Sequence, residues 1–338
     1  MRTFGRTLLV TALAAAVAAP LLAPHGAGTQ FPALLNAPPT LPHLVDDTGA
    51  WHAPFIYRWA LVNRLEQRFE QDRTTRVPLE WFRGGHLVGS ADDARAPLLL
   101  VGADRIGRDV FSRLLFGARI SLGLALLSAL GAALIGGVVG GAAGYAGGTA
   151  DDLLMRAADF VLVLPAIYVV LALRAVLPLV LRAEIVFLML VAIFAVVGAP
   201  YVARGVRAIV RSERQQEYAA AARSLGASHV RLLARHLLPA ASGYVVVQLT
   251  VLVPAFIIAE ATLSYVGLGF EDPIASWGAM LNEASSTRVL ADFPWLLSPA
   301  VAIFLVVLGL NLVFQGAPKG PHDERSGHAE RAGVVRTF

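Results

Sequence analysis

Asp159, Arg174 and Glu260 are the ionisable residues lying deepest in apolar sequence. A charge at that depth is costly in lipid, so such groups turn towards protein or a water-filled path, where carboxylates could gate passage or relay protons. At the two ends of a span, Asp159 and Arg174 could equally extend their heads to the interface. A second group of residues, from Arg204 to Pro239, is of another kind. It contains Glu217-Tyr218-Ala219-Ala220-Ala221-Ala222-Arg223-Ser224-Leu225-Gly226 and closes on Arg235-His236-Leu237-Leu238-Pro239. It reads as two short helices around a glycine break, and such a projection suits docking to a partner better than bond-making. The chemistry expected of the rest of the chain is sparse. His43, His52 and His86 lack a metal-ligand spacing with carboxylates and read as solvated loop side chains. With no cysteine in the chain, disulfides and thiolate metal sites are excluded. No Gly-x-x-x-x-Gly-Lys-[Ser/Thr] phosphate loop occurs, so energy for any active process must come from another subunit or from an ion gradient. No catalytic residue, metal or cofactor is expected.

The elements that must hold these residues are set by composition. Of the 338 residues, 56% are hydrophobic and 15% charged, with a mean hydropathy of +0.63, values that describe an integral membrane protein. The pI near 9.7 does not imply nucleic acid, because the cations are arginines gathered at the ends of apolar segments, with Lys319 the single lysine. Six apolar segments approach the roughly 20 residues that a bilayer core requires: Leu8 to Ala23, Ile120 to Ala143, Phe160 to Leu181, Ile185 to Ala203, Tyr244 to Leu268 and Trp295 to Phe314. The first also has the form of a secretory signal segment. The seven arginines between Arg204 and Arg235 place that loop in the cytoplasm, and six spans then put both termini there. The acidic loop from Gly269 to Pro294, with Glu271, Asp272, Glu283 and Asp292, agrees with an outside position.

The segment after the first span is Pro-rich over Pro32 to Pro42 and aromatic over Pro54 to Gly85, which suggests a small folded excursion of helices and short strands. Beyond it, Asp104 is expected to cap an interfacial helix on which Val110, Leu114 and Leu115 share a face, with Arg108 and Ser112, or Asp109 and Arg113, paired one turn apart. Gly136, Gly137, Gly140, Gly141 and Gly144 form overlapping small-xxx-small patterns for close helix packing, against a partner subunit or within the bundle. Pro165, Pro178, Pro200 and Pro254 are candidate kinks or hinges.

Three motifs then resemble one family. The run Gly107-Arg108-Asp109-Val110-Phe111-Ser112-Arg113-Leu114-Leu115-Phe116-Gly117-Ala118-Arg119-Ile120-Ser121-Leu122, the Ala221-Ala222-Arg223-Ser224-Leu225-Gly226 loop with its Leu238-Pro239 end, and Ala259-Glu260-Ala261-Thr262-Leu263-Ser264-Tyr265-Val266-Gly267-Leu268-Gly269 with Ser276-Trp277-Gly278 are similar to the dipeptide and oligopeptide ABC importer permeases, more narrowly their C-type subunit. The resemblance implies an all-α, six-span permease of the type I importer kind with an extracytoplasmic insertion after the first helix, residing in the cytoplasmic membrane. It further implies a second permease subunit, two ATP-binding-cassette ATPases, an extracytoplasmic substrate-binding protein, lipid as surroundings, and no nucleic acid. The coupling loop of the family carries Glu-Ala-Ala, then Gly, then Leu-Pro. Here Ala221, Ala222, Gly226, Leu238 and Pro239 match, the Glu position is Ala220, and Glu217 lies three residues earlier. The resulting division is 1–23 first span or signal-like anchor, 24–118 extracytoplasmic segment with an interfacial helix, 119–316 permease core with coupling loop 204–240, and 317–338 a mobile cytoplasmic tail. A peptide importer is the expected function; the competing reading is a gradient-driven transporter using Glu260 and Asp159 as a relay.

Overall fold

The computed structural model describes residues 1–64, 66–82, 84–176, 182–285 and 287–314. The chain opens with α1 (Arg2–Val17) and a single turn α2 (Ala19–Leu22). It then forms a four-stranded antiparallel sheet in sequential order, β1 (His43–Val45), β2 (Trp51–Asn63), β3 (Arg68–Trp81) and β4 (Val88–Ser90). The long helices follow: α3 (Val110–Ala146), α4 (Gly148–Val163), α5 (Ala166–Val176) and α6 (Ala183–Glu213). A connecting element comes next, comprising α7 (Glu217–Ser224), α8 (His229–Leu232), a π-helical turn at Leu233–Leu237 and α9 (Leu238–Ala240). The chain continues through α10 (Ser242–Tyr265), α11 (Trp277–Glu283), α12 (Thr287–Asp292), a 3-10 turn at Pro294–Leu297 and α13 (Ser298–Phe314).

Among the described residues, four helical stretches are long and apolar enough to cross a membrane: α3, α6, α10 and Pro294–Val313. α1 is shorter, at 16 residues. The expected third span is divided at Leu164 and Pro165 into α4 and α5, because proline has no N–H to continue the ladder and disfavours helix in the residue before it. Its end, with Pro178, lies outside the described residues, as does the tail over 317–338. Pro200 and Pro254 sit inside continuous helices.

The excursion departs from an all-α chain. β2 and β3 have 13 and 14 residues, longer than the short strands expected, and among the described residues no helix accompanies them. Their hairpin pairs Phe55 with Pro78 and Leu61 with Phe69. Adjacent residues Phe55, Ile56 and Tyr57 are all buried, although neighbours along a strand point to opposite faces. Both faces are covered there. Ile56 packs with Val77, Ala96 and Leu98, while Phe55 and Tyr57 meet the His43 ring. Thus His43 is packed on aromatics, His52 bonds Asp46, and His86 bonds the Ala23 carbonyl.

A Gly-to-Ala stripe joins α3 to α6. A Cβ at Gly136 would lie 2.5 Å from the Ala199 carbonyl oxygen, one at Gly140 would overlap the Ala203 carbonyl, and one at Gly144 would lie 2.5 Å from that of Arg207. Both helices repeat every four residues, so their backbones meet along one ridge, and these glycines serve packing within this chain. Gly141 instead faces Leu238 at 3.0 Å, and Gly137 faces open space. α1 reaches α13 by the same device at Gly5, whose Cβ would stand 2.8 Å from the Gly309 carbonyl oxygen.

This pattern sets up a matched pair of variants. Gly140→Val is expected to lower the unfolding midpoint in detergent by the equivalent of about 1–3 kcal/mol through overpacking. Gly137→Val, one residue away and with no contact to make, is expected to leave the midpoint unchanged or raised; differential scanning fluorimetry on both reads the difference.

Candidate functional site

The first turn of α3 is the most highly constrained polar region. Asp109 is its N-cap, accepting from the backbone N–H groups of Phe111 (3.1 Å) and Ser112 (3.2 Å) and from the Ser112 hydroxyl. Asp104 therefore does not cap the helix, and the amphipathic run expected to form a separate interfacial helix is the beginning of α3 itself. Asp104 is held in the preceding turn, where Oδ1 accepts from the N–H groups of Ile106 (3.0 Å) and Arg108 (2.9 Å). Gly107 allows that turn, with φ of +82° and no space for a Cβ against the Phe31 carbonyl.

Oδ2 of Asp104 then accepts from two buried guanidiniums, Arg108 Nε at 2.6 Å and Arg113 Nη1 at 2.8 Å. Arg108 also donates to Asp272 (2.6 Å) and Glu283 (2.9 Å), and Arg113 donates to Glu283 (2.8 Å). The pairings expected one turn apart, Arg108 with Ser112 and Asp109 with Arg113, give way to this cluster because Asp272 of the loop after α10 and Glu283 of α11 reach the same point. Burying such charges is expensive, so the cluster fixes geometry more than it adds net stability. It locks the loop between α10 and α11 to the start of α3. Gly117 continues the contact, its Cβ position lying 3.2 Å from the Trp277 ring. Arg119 alone among the basic motif residues is exposed and outside the cluster.

His25, absent from any sequence-based expectation, closes the cap from the other side. Its Nδ1 lies 3.3 Å from Asp109 Oδ2 and its Nε2 3.5 Å from Asp93. Burial alone would lower its pKa, but the bonds to Asp109 and Asp93 outweigh that and raise it to about 9, so the imidazolium is the working form at neutral pH.

Glu260 is fully buried in a cage of serines. Ser121 donates to one carboxyl oxygen at 2.7 Å and Ser264 to the other at 2.8 Å, and the Ser276 hydroxyl also bonds it. Each of the first two hydroxyls accepts a backbone N–H in turn, Ser121 from Trp277 (3.1 Å) and Ser264 from Phe270 (3.2 Å). The carboxyl thereby orients both ends of the loop from Phe270 to Trp277. Asp159 is exposed and paired with Arg204 at 2.5 Å. Among the described residues the two acids share no partner. Arg174 belongs to α5.

The connecting element has an anchored root and an open tip. Ala219, Leu232 and Leu237 are fully buried in the main core. Arg214 donates to the carbonyl of Tyr145 at the end of α3, Arg223 donates to the Arg214 carbonyl (2.8 Å), and the Tyr145 hydroxyl meets His229. α7 ends in a Schellman motif: Ala227 N–H bonds the Ala222 carbonyl (3.0 Å), Gly226 N–H bonds that of Arg223 (2.9 Å), and Gly226 has φ of +83°. Ser228 caps α8. At the tip, Leu225 is 88% and Val230 78% exposed, with Glu217, Ala220 and Ala221 also exposed, Ala222 half-buried, and Leu238 and Pro239 back at the root.

A family model described as binding-protein-dependent transport system inner membrane component matches residues 133–317, from the middle of α3 onward. A putative peptide permease protein of Brucella ovis is 38% identical over 216 residues, covering 64% of this chain and 70% of the relative. Glutathione transport system permease proteins are similar too, one from Pectobacterium atrosepticum at 40% identity over 216 residues and one from Shigella flexneri at 44% over 215, each covering 64% of this chain and 69% of the relative.

Two outcomes follow from the cap and the cage. The folded pKa of His25 stands above its ordinary value of 6.5, so its contribution is complete below that pH and is lost as pH rises through about 9. His25→Gln is expected to flatten the decline in thermal stability between those pH values. Glu260→Ala is expected to cost about 2–4 kcal/mol, since it opens a cavity and strands three buried hydroxyl donors; urea titration in detergent, compared with the exposed Asp159→Ala, checks it.

Proposed function

This chain belongs to the family of binding-protein-dependent transport system inner membrane components, and on that premise we propose that it is a permease subunit that carries short peptides across the cytoplasmic membrane, driven by ATPases that dock on α7 to α9. Six crossing elements serve this role: α1, α3, the α4–α5 pair, α6, α10 and α13. Both termini and the α7–α9 element are cytoplasmic, the sheet and the loop from Phe270 to Trp277 are outside, and residues 24–118, 119–316 and 317–338 are the excursion, the permease core and the tail. A second permease completes the path, two ATPase subunits supply the hydrolysis that this chain lacks a phosphate loop to perform, and a binding protein delivers substrate to the outer face. The relatives named for peptide and glutathione transport support the choice of substrate.

The observation that carries this reading is the contrast between root and tip in the connecting element. An apolar tip on an otherwise basic loop is the surface expected of a docking site. Its root is bonded to the last turn of α3 through Arg214, so a push on α7 reaches the spans as a rigid-body movement. Ala220, Ala221, Ala222 and Gly226 let a partner approach closely, and Glu217 supplies the single carboxylate at the start of α7 where the family's acidic position is Ala220. Gly107, Arg108, Asp109, Arg113 and Gly117 hold the outer end of the same helix. Glu260 acts in this scheme through the loop it orients and Asp159 through its pair with Arg204, which makes them positioning residues for an outer gate and an inner one.

Gly226→Pro removes the N–H that bonds Arg223 and forbids the positive φ, whereas Gly226→Ala meets no neighbouring atom and bears only the cost of that φ. The proline variant is expected to insert normally and to hydrolyse ATP in the assembled complex, with peptide uptake into proteoliposomes reduced at least about tenfold, the equivalent of roughly 1.4 kcal/mol in a rate barrier. The alanine variant is expected to retain most of its uptake. Normal uptake by Gly226→Pro would sink the coupling role.

A further inference from the structure

A cavity of about 670 Å³ lies between the outer halves of α3 and α6 and the loop after α10, and Arg119, Glu184, Phe116, Phe187, Phe270 and Ile274 are among its walls. Resting on the peptide reading above, we propose that this cavity is a transit subsite for a short zwitterionic peptide, with Arg119 receiving the C-terminal carboxylate and Glu184 the N-terminal ammonium.

The size falls within the roughly 300–1,000 Å³ of small-ligand sites, and the make-up is that of such sites, an apolar wall with few charged groups. The charges are also available. Arg108 and Arg113 are consumed by buried carboxylates, and Arg204 and Arg207 by Asp159 and Asp151. Arg119 is exposed and has no hydrogen-bond or ion-pair partner among the described residues. An exposed guanidinium without a carboxylate partner can receive an anion, and its planar fork matches a carboxylate. Glu184 pairs with Arg182 at 3.5 Å, both side chains being largely exposed, and such a pair is weak enough for a ligand ammonium to displace it.

Opposite charges on two helices that line one cavity suit a molecule charged at both ends, while Phe187 and Phe270, 6.4 Å apart between ring centroids, offer a surface for side chains of varied shape. One exposed charge at each end gives the modest affinity that transit needs, since a tightly held solute would not leave. The floor of the cavity is held in place as a unit. Phe270, Ile274 and Ala275 belong to the loop whose ends Glu260 orients and whose Asp272 is bonded to Arg108, so the subsite keeps its shape against α3.

The test uses the complete transporter, this chain with its co-purified partners, in liposomes, and the probes are alanyl-photoleucine and its C-terminal amide. Light is expected to label the cavity wall at Phe187 or Phe270 in the wild type. Arg119→Gln is expected to lower labelling and uptake of the free peptide about tenfold, Arg119→Lys to restore part of it, and the amide to label both proteins alike. Co-purification of the partner chains establishes that a variant has assembled; should Arg119→Gln fail in this, Glu184→Gln is the second variant, expected to weaken labelling by the free-amine peptide and not by its N-acetyl form. Labelling elsewhere in the chain, or undiminished in Arg119→Gln while import proceeds, overturns the subsite and leaves the importer reading intact. A loss that is equal for both peptides and follows the anionic-lipid content of the vesicles assigns Arg119 to a lipid phosphate and overturns it as well. Failure of the wild-type complex to import any peptide instead overturns the substrate reading, and the subsite with it.

Discussion

The backbone contact between α3 and α6 is the constraint from which the rest of the arrangement follows. In lipid there is no hydrophobic gain from bringing apolar helices together, so association depends on packing, and packing is closest where side chains are smallest. Gly136, Gly140 and Gly144 set against Ala199, Ala203 and Arg207 bring α3 and α6 into contact along their C-terminal halves. Phe194 stacks on Phe256 to bring in α10, and Gly198 leaves room for the Phe256 ring. The bundle is thus built outward from one seam, with larger side chains filling the space that the seam leaves.

With that seam fixed, α3 becomes an axis with different chemistry at each end. Its N-terminal end is ionic and buried: two arginines and three carboxylates join the turn before the helix to the loop after α10 and to α11, and His25 secures the cap. Its C-terminal end is held by carbonyl and apolar contacts. Arg214 donates to the Tyr145 carbonyl and Arg223 to that of Arg214, beside the buried Ala219, Leu232 and Leu237. Charge pairs that lose a partner in a dry setting cost several kcal/mol, whereas hydrogen bonds near water are readily exchanged. The N-terminal end is accordingly the more strongly fixed of the two.

Much of this was legible in the residues. The long apolar runs marked α3, α6, α10 and α13, the glycine spacing marked the seam, and the Ala-rich stretch with Gly226 gave the two short helices of the connecting element. The sheet was obscured because β2 and β3 contain Pro54, Pro78 and many charges, and because burial on both faces removes the alternation by which a half-buried strand is recognised. The ion cluster was obscured by distance along the chain. Arg108 meets Asp272 and Glu283 across 164 and 175 positions, and the acidic loop suggested only an outside location. The N-cap was misplaced by five residues because Asp104 and Asp109 are equally good cap residues in sequence, and only the turn at Gly107 decides between them. Glu260 was recognisable as exceptional, but its serine partners come from three separate segments.

The π-helical turn at Leu233–Leu237 has a geometric consequence for the connecting element. In a regular helix, successive residues advance by about 100°, so positions five apart point in widely different directions. A π turn absorbs one extra residue per revolution. Leu232 and Leu237, five apart, can therefore both enter the core, where an ordinary helix would have turned one of them to solvent. The turn works as an azimuthal offset of one residue between α8 and α9, and the count of residues between Ser228 and Pro239 sets the bearing at which the apolar tip is presented, as the number of teeth sets the phase of a gear.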